Sequence, residues 1–94
     1  LKEVTLELAE ARNGGARGAA LISVLHRNRQ VWSTFSAACG AADNRLPPDL
    51  RASLISLALW VDRYTTEVVV EGQSVAPLVQ VNQSLIEGLA AAAA

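Results

Sequence analysis

The chain has 94 residues and a formal net charge of −1, with 51% hydrophobic residues but only 4% aromatic residues. A chain of this length supports one domain with one core, because its surface is large relative to its volume. Leu, Val, Ile and Ala must fill that core, which favours closely packed helices over a β-sandwich. The near-neutral charge, with acids and bases interspersed, argues against tight nonspecific binding to nucleic acid phosphates.

Possible metal ligands and membrane segments are scarce. The chain has one cysteine, Cys39, and one histidine, His26, which are too few for an internal disulfide or a structural zinc site. No apolar run is long enough to span a membrane, and residues 1–10 carry charges where a signal peptide would be apolar. We therefore expect a protein of the reducing cytoplasm, without metal, cofactor or membrane insertion.

Apolar residues at helical spacing predict a first helix over residues 1–12 and a second over residues 18–39. Gly14 and Gly15 end the first helix, since glycine adopts the left-handed conformation that closes a helix at little cost. Gly40 is the predicted stop of the second. The apolar face of the second helix comprises Leu21, Val24, Leu25, Val31, Trp32, Phe35 and Ala38.

A third helix is predicted over residues 48–71, because Pro48 suits a helical first turn and apolar residues then step by four and three. This stripe comprises Leu50, Leu54, Leu57, Val61, Tyr64 and Val68. A fourth helix over residues 75–90 follows Gly72, and residues 91–94 form an alanine tail. Short connections favour antiparallel neighbours. The prediction is an all-α fold, a small antiparallel four-helix bundle with residues 1–94 as a single domain.

Two asparagines lie in the middle of apolar faces, Asn28 on helix two and Asn82 on helix four. An unpaired buried amide costs about 1 to 3 kcal/mol, so each should have a hydrogen-bond partner. We predict that both are interior and hydrogen-bonded, with each other as one candidate pairing, in a polar seam that Trp32 also faces. The alternative is that the asparagines meet a partner chain.

Helix three has more apolar surface than one stripe requires. Ala52, Ile55 and Leu59 lie nearly opposite the stripe, and Trp60 lies on its flank. A helix that is apolar on several sides is either central in a bundle or bound to another molecule. These four residues are therefore either contacts of a central helix or part of a groove for an amphipathic helix of a partner.

No arrangement of residues has the spacing that catalysis requires. Cys39 lies on the apolar side of helix two and is interpreted as an inert core thiol. His26, Arg27 and Arg29 beside Trp32 resemble a site for single-stranded RNA, but the two arginines project to different sides and Trp32 faces the interior. We expect neither an enzyme nor a small-molecule substrate, and direct RNA binding is the weaker hypothesis.

Three segments, taken together, resemble the FlaF family of bacterial flagellar proteins. They are NRQVW at 28–32, NRLPPDLRASLISL at 44–57, and PLVQVN at 77–82 with Gly88-Leu89 after it. Their order and spacing extend over most of the chain. Family members usually carry an additional stretch before the segment that begins here at Leu1.

The resemblance implies a cytoplasmic, non-catalytic protein needed for flagellin production and filament assembly, working alongside FlbT, a regulator of flagellin message translation. An export chaperone is the physically natural mechanism, because the apolar terminal helices of flagellin must not polymerise before secretion. The groove on helix three would then hold them. The alternative is a post-transcriptional regulator that acts on flagellin translation through FlbT or on the flagellin message directly. Flagellin and FlbT are the expected partners.

Overall fold

Four α-helices make up most of residues 1–93, the part of the chain that the computed structural model describes. They are α1 (Lys2–Asn13), α2 (Gly18–Gly40), α3 (Pro48–Glu71) and α4 (Ala76–Ala93). Residues 1–93 contain no β-strand, and the all-α four-helix bundle predicted from the sequence is confirmed. None of these helices combines the length and hydropathy that crossing a bilayer would require.

The helix boundaries follow the chemistry of the chain. α3 covers the predicted residues, and α1 and α2 each end one residue later than predicted. α4 begins at Ala76 and continues through residues 91–93, where an alanine tail was predicted. Alanine is the best helix former, and no glycine or proline follows Gly88 to interrupt the helix. Ala94 lies outside the described residues.

The connection between α3 and α4 is closed by two local hydrogen bonds. Gly72 ends α3 in the left-handed conformation, with φ 71°, and its N–H donates to the Val68 carbonyl at 3.1 Å. The Ser74 hydroxyl then accepts the N–H of Ala76, the first residue of α4, at 3.1 Å. These bonds satisfy backbone groups that the helix ends leave free, which stabilises an abrupt reversal of the chain.

Each helix packs against its neighbours in the chain, and α4 also packs against α1, so that the four helices form a ring. Neighbours are antiparallel: Arg29 of α2 contacts Asp62 of α3, while Arg51, earlier in α3, contacts the carbonyl of Cys39, later in α2. α2 and α4 are therefore diagonal to one another. α3 and α4 share the smallest of the four helix interfaces.

The core lies on the inner faces of the four helices. Its buried members are Leu8, Leu25, Trp32, Ala58, Val61, Val68, Val75, Leu78 and Val79. Of the stripe predicted on α3, Leu54 is buried like Val61 and Val68, but Leu50 near the helix start is 45% exposed. Leu89, in the last part of α4, is 50% exposed. Both leucines lie near helix ends, where fewer neighbouring residues remain to cover them.

Candidate partner-binding surfaces

A buried polar cluster links the two diagonal helices. The indole N–H of Trp32 donates to Asn82 Oδ1 at 2.8 Å, and Asn82 Nδ2 donates to Asn28 Oδ1 at 2.8 Å. Both asparagines are fully buried and Trp32 is 2% exposed. Both asparagines are thus interior and hydrogen-bonded, as predicted, and they bond to each other, which was one candidate pairing. Because no part of either amide reaches the surface, the alternative in which they meet a partner chain is disfavoured.

The basic residues of α2 do not form one site. Arg27 Nε lies 2.8 Å from Glu7 Oε2 on α1, while Arg29 Nε lies 2.8 Å from Asp62 Oδ1 on α3. Arg29 Nη2 also donates to the Asp62 carbonyl at 2.7 Å. The two guanidinium groups thus lie on opposite sides of α2, as predicted, and the buried Trp32 cannot stack on a base. This geometry lacks the continuous basic groove that binds single-stranded nucleic acid.

The four apolar residues of α3 that were predicted outside its core stripe lie on two flanks of the helix. Leu59 is 62% exposed and lines a groove between α2 and α3. Trp60 stacks on Tyr64, with ring centroids 5.1 Å apart, and the Tyr64 hydroxyl donates to the Ser74 carbonyl beside α4. Ala52 is exposed and Ile55 half-buried. Trp60 is therefore directed away from Leu59, and the four residues do not line one groove.

The groove between α2 and α3 exists because α2 presents small side chains there. It has a volume of about 500 Å³, with Trp32 and Val61 at its base. Ser33, Ser36 and Ala37 form the α2 wall. Leu59 lies on the α3 side of this groove and remains largely exposed.

A larger groove, which the sequence analysis missed, lies between α1, α2 and α4. Its volume is about 680 Å³, and it is called here the α1–α2–α4 groove. Its apolar lining comprises Leu1, Val4, Val31, Trp32, Phe35, Ala38, Leu85 and Leu89. α1 has 12 residues and α2 has 23, so the C-terminal part of α2 extends beyond the start of α1. This difference in predicted helix length was the only signal in the sequence.

The α1–α2–α4 groove has an apolar floor and a polar rim. Trp32 and Phe35 meet edge to face at its base, with ring centroids 6.0 Å apart. The ion pair of Glu7 and Arg27 crosses one wall, and Gln30 and other polar residues complete the rim. Such a surface suits the apolar stripe of an amphipathic helix, whose polar flanks would meet the rim.

The chain is similar to a family of flagellar proteins over most of its length. The family described as Flagellar protein FlaF matches residues 1–89 of the chain. The polar cluster and all the lining residues of both grooves lie within the matched range. No curated protein and no solved structure matches the chain.

Proposed function

The chain belongs to the FlaF family of flagellar proteins and has a flagellum-related role; from this premise we propose that it is a flagellin-binding export chaperone that also regulates flagellin synthesis. It would act in the cytoplasm by binding, without catalysis. The observation that carries the proposal is the α1–α2–α4 groove, an apolar surface that is open at the side of a small bundle.

The chemistry of the groove fits a helix of flagellin. The terminal helices of flagellin are apolar on one face and would polymerise in the cytoplasm if that face stayed free. Val31, Phe35 and Leu85 offer a surface of aliphatic and aromatic groups at which such a face loses its contact with water. At about 680 Å³ the groove has room for several side chains of one helix stripe.

The outer side of α3 is the second candidate surface for flagellin. Ala52, Ile55, Leu59 and Trp60 remain the sequence-based prediction for it, and the exposure of Leu59 is consistent with a contact. We favour the α1–α2–α4 groove because its apolar lining is continuous over three helices, whereas Leu59 and Trp60 are on different flanks of one helix.

The alternative function is post-transcriptional regulation of flagellin translation, through FlbT or through the flagellin message. The engagement of Arg27 and Arg29 in ion pairs within the bundle favours a protein contact over an RNA contact. We propose that both roles are coupled by competition: a chain occupied by flagellin is not available to FlbT. Simultaneous binding of flagellin and FlbT with unchanged affinities would rule out this coupling.

The first test is calorimetric titration of the chain with full-length flagellin and with flagellin that lacks its terminal helices, at low and high salt. An apolar interface predicts binding that tolerates salt and is lost on truncation, whereas phosphate contacts weaken steeply with salt. Three variants locate the site. Ala38→Asp places a charge in the α1–α2–α4 groove, Leu59→Asp places one on α3, and Ile22→Asp is a matched exposed position on α2 outside both grooves.

We expect Ala38→Asp to weaken flagellin binding at least tenfold, with Leu59→Asp and Ile22→Asp close to the unchanged chain. Circular dichroism checks that each variant is folded. A loss of binding in Leu59→Asp alone would instead locate flagellin on α3. If neither form of flagellin binds, the chaperone role is rejected, and titration with FlbT and with flagellin message decides between the remaining partners.

A further inference from the structure

The outer face of α3 is uneven in side-chain size along the helix. Its N-terminal half presents the small exposed residues Ala52, Ser53 and Ser56. Its C-terminal half presents Leu59, which is 62% exposed, and the half-buried Trp60 on the adjoining flank. Small side chains on one half and large ones on the other form a surface that can fit its own copy when the second helix runs in the opposite direction.

The charges on this face, like the side-chain sizes, differ between its two halves in a way that suits an antiparallel copy. Asp49 and Arg63 are both exposed, and each lies seven residues from Ser56, about two helical turns away in opposite directions. Within residues 1–93 the ion pairs are Arg27 with Glu7 and Arg29 with Asp62, so neither Asp49 nor Arg63 is paired in the bundle. Over residues 49–63 the face therefore carries an acid at one end and a base at the other, both available to a second molecule. The exposed Glu67 lies one turn beyond Arg63, outside this segment.

We propose that the outer face of α3 pairs with the same face of a second copy, antiparallel about Ser56. In this arrangement Leu59 of each copy meets the small residues Ala52 and Ser53 of the other. Asp49 of each copy then approaches Arg63 of its partner, and the two-fold symmetry makes this ion pair twice. A parallel arrangement would place large side chains and like charges together, so the face specifies the antiparallel one.

The side of α2 next to this face leaves room for the second copy. Ser33, Ser36 and Ala37 are short, and the groove of about 500 Å³ beside Leu59 is open. The nearest charges, Arg29 and Asp62, are already paired with each other. Approach of a second helix therefore meets neither bulky side chains nor an unpaired charge on the α2 side.

The pairing goes beyond the proposed function, because it uses a different surface. None of the face residues lines the α1–α2–α4 groove, and of them only Leu59 lines the smaller groove between α2 and α3. The face residues are Asp49, Ala52, Ser56, Leu59 and Arg63. A dimer built on α3 thus keeps two flagellin grooves open. One helix face buries less than the roughly 1,200–2,000 Å² of a standard interface, so we expect a reversible dimer with a dissociation constant of about 1–100 μM.

The test is sedimentation equilibrium of the full chain over a concentration range of about 1 to 500 μM, which brackets that dissociation constant. We expect the mean mass to rise from that of one chain towards that of two. Arg63→Asp and Asp49→Arg should each weaken the dimer at least tenfold by opposing like charges, and the double variant should recover most of the affinity. Arg17→Asp, an exposed charge reversal before α2, is the matched control and should leave the dimer unchanged.

A monomer at every concentration would overturn the proposal. A dimer that ignores Leu59→Asp and both single charge reversals would also overturn it, because the pairing would then use another face. Recovery in the double variant is the outcome that a merely destabilised fold cannot produce. Flagellin titration of Arg63→Asp separates the two proposals, since loss of the dimer with flagellin binding intact leaves the chaperone role standing.

Discussion

Asn82 Nδ2 donates a hydrogen bond to Asn28 Oδ1 at 2.8 Å, joining the two helices that are diagonal in the bundle. Asn82 Oδ1 also accepts the Trp32 indole N–H, so the Asn82 amide donates one hydrogen bond and accepts another. Apolar faces can slide past one another at low cost, but a shift of one turn here would break both bonds inside the core. The polar cluster therefore specifies the register of α2 and α4.

Asn82→Leu should lower the free energy of unfolding by about 3 kcal/mol, because it leaves both the Trp32 N–H and the Asn28 amide buried without partners. Asn28→Leu should cost less, about 1 kcal/mol, since it leaves one buried group, Asn82 Nδ2, without a partner and also removes the Asn28 Nδ2 group, which has no partner within residues 1–93. Urea denaturation of both variants measures the difference. Equal losses of unfolding free energy in the two variants would contradict the prediction that Asn82 contributes more than Asn28.

Arg51→Ala should loosen the end of α2. Arg51 Nε donates to the Cys39 carbonyl at 2.8 Å, which the helix end leaves free. Arg51 Nη2 also donates to the Ala41 carbonyl at 3.2 Å, which accepts the Asn44 N–H as well. We expect a loss of about 1–2 kcal/mol in the free energy of unfolding. The buried Cys39 thiol should also react faster with an aromatic disulfide reagent.

The matched control for this cap is Arg45→Ala, which removes an exposed arginine from the same connection. It should change neither the unfolding free energy nor the rate of thiol modification. Thiol reactivity that rises equally in both variants would assign the effect to charge and not to the hydrogen bonds of Arg51.

Two glycine substitutions should change the stability of the bundle in opposite directions. Gly72→Ala forces a residue with a Cβ into φ 71° and should destabilise the bundle by about 1 kcal/mol, although the added methyl group meets open space. Gly88→Ala lies inside α4, also in open space, and should stabilise it by about 0.5–1 kcal/mol. Thermal unfolding of the pair checks both signs. A stabilising Gly72→Ala would contradict the left-handed cap.

Tyr64, the single tyrosine, should titrate above the ordinary pKa of 10.0. Burial raises the pKa of the phenol first, and the negative charge of Glu67 raises it further. Since the folded pKa exceeds the unfolded one, ionisation of Tyr64 leaves the free energy of unfolding unchanged below about pH 10 and lowers it as the pH rises through the folded pKa. Phenolate absorbance as a function of pH measures the shift.

Glu67→Gln should bring the pKa of Tyr64 part of the way back towards its ordinary value, because the smaller contribution is removed and burial remains. Glu87→Gln, which changes an exposed acid on α4, is the control and should leave the titration in place. A titration of Tyr64 at its ordinary pKa in the unsubstituted chain would contradict the partial burial of the ring.

The sequence was sufficient for features that depend on the spacing of residues along one helix. The glycine and proline positions predicted the helix boundaries to within one residue, apart from the extension of α4 through residues 91–93. The same periodicity placed Asn28 and Asn82 inside and separated Arg27 from Arg29. Side-chain direction repeats every 3.6 residues, so it follows from numbering once a helix is assigned.

Features shared between helices required the tertiary structure. The α1–α2–α4 groove depends on how far a helix of 12 residues covers one of 23, and Phe35 and Ala38, predicted as core, line it for that reason. Leu59 and Trp60 lie on different surfaces because one flank of α3 faces α2 and the other faces the segment before α4.

The sequence by itself thus determined the four helices, their inward faces and the need to pair two buried amides, because these follow from local backbone preferences and the cost of burying unpaired polar groups. Only the tertiary structure decided which apolar side chains stay uncovered, because coverage depends on the lengths and relative positions of several helices at once. The surfaces available to a partner belong to that second group.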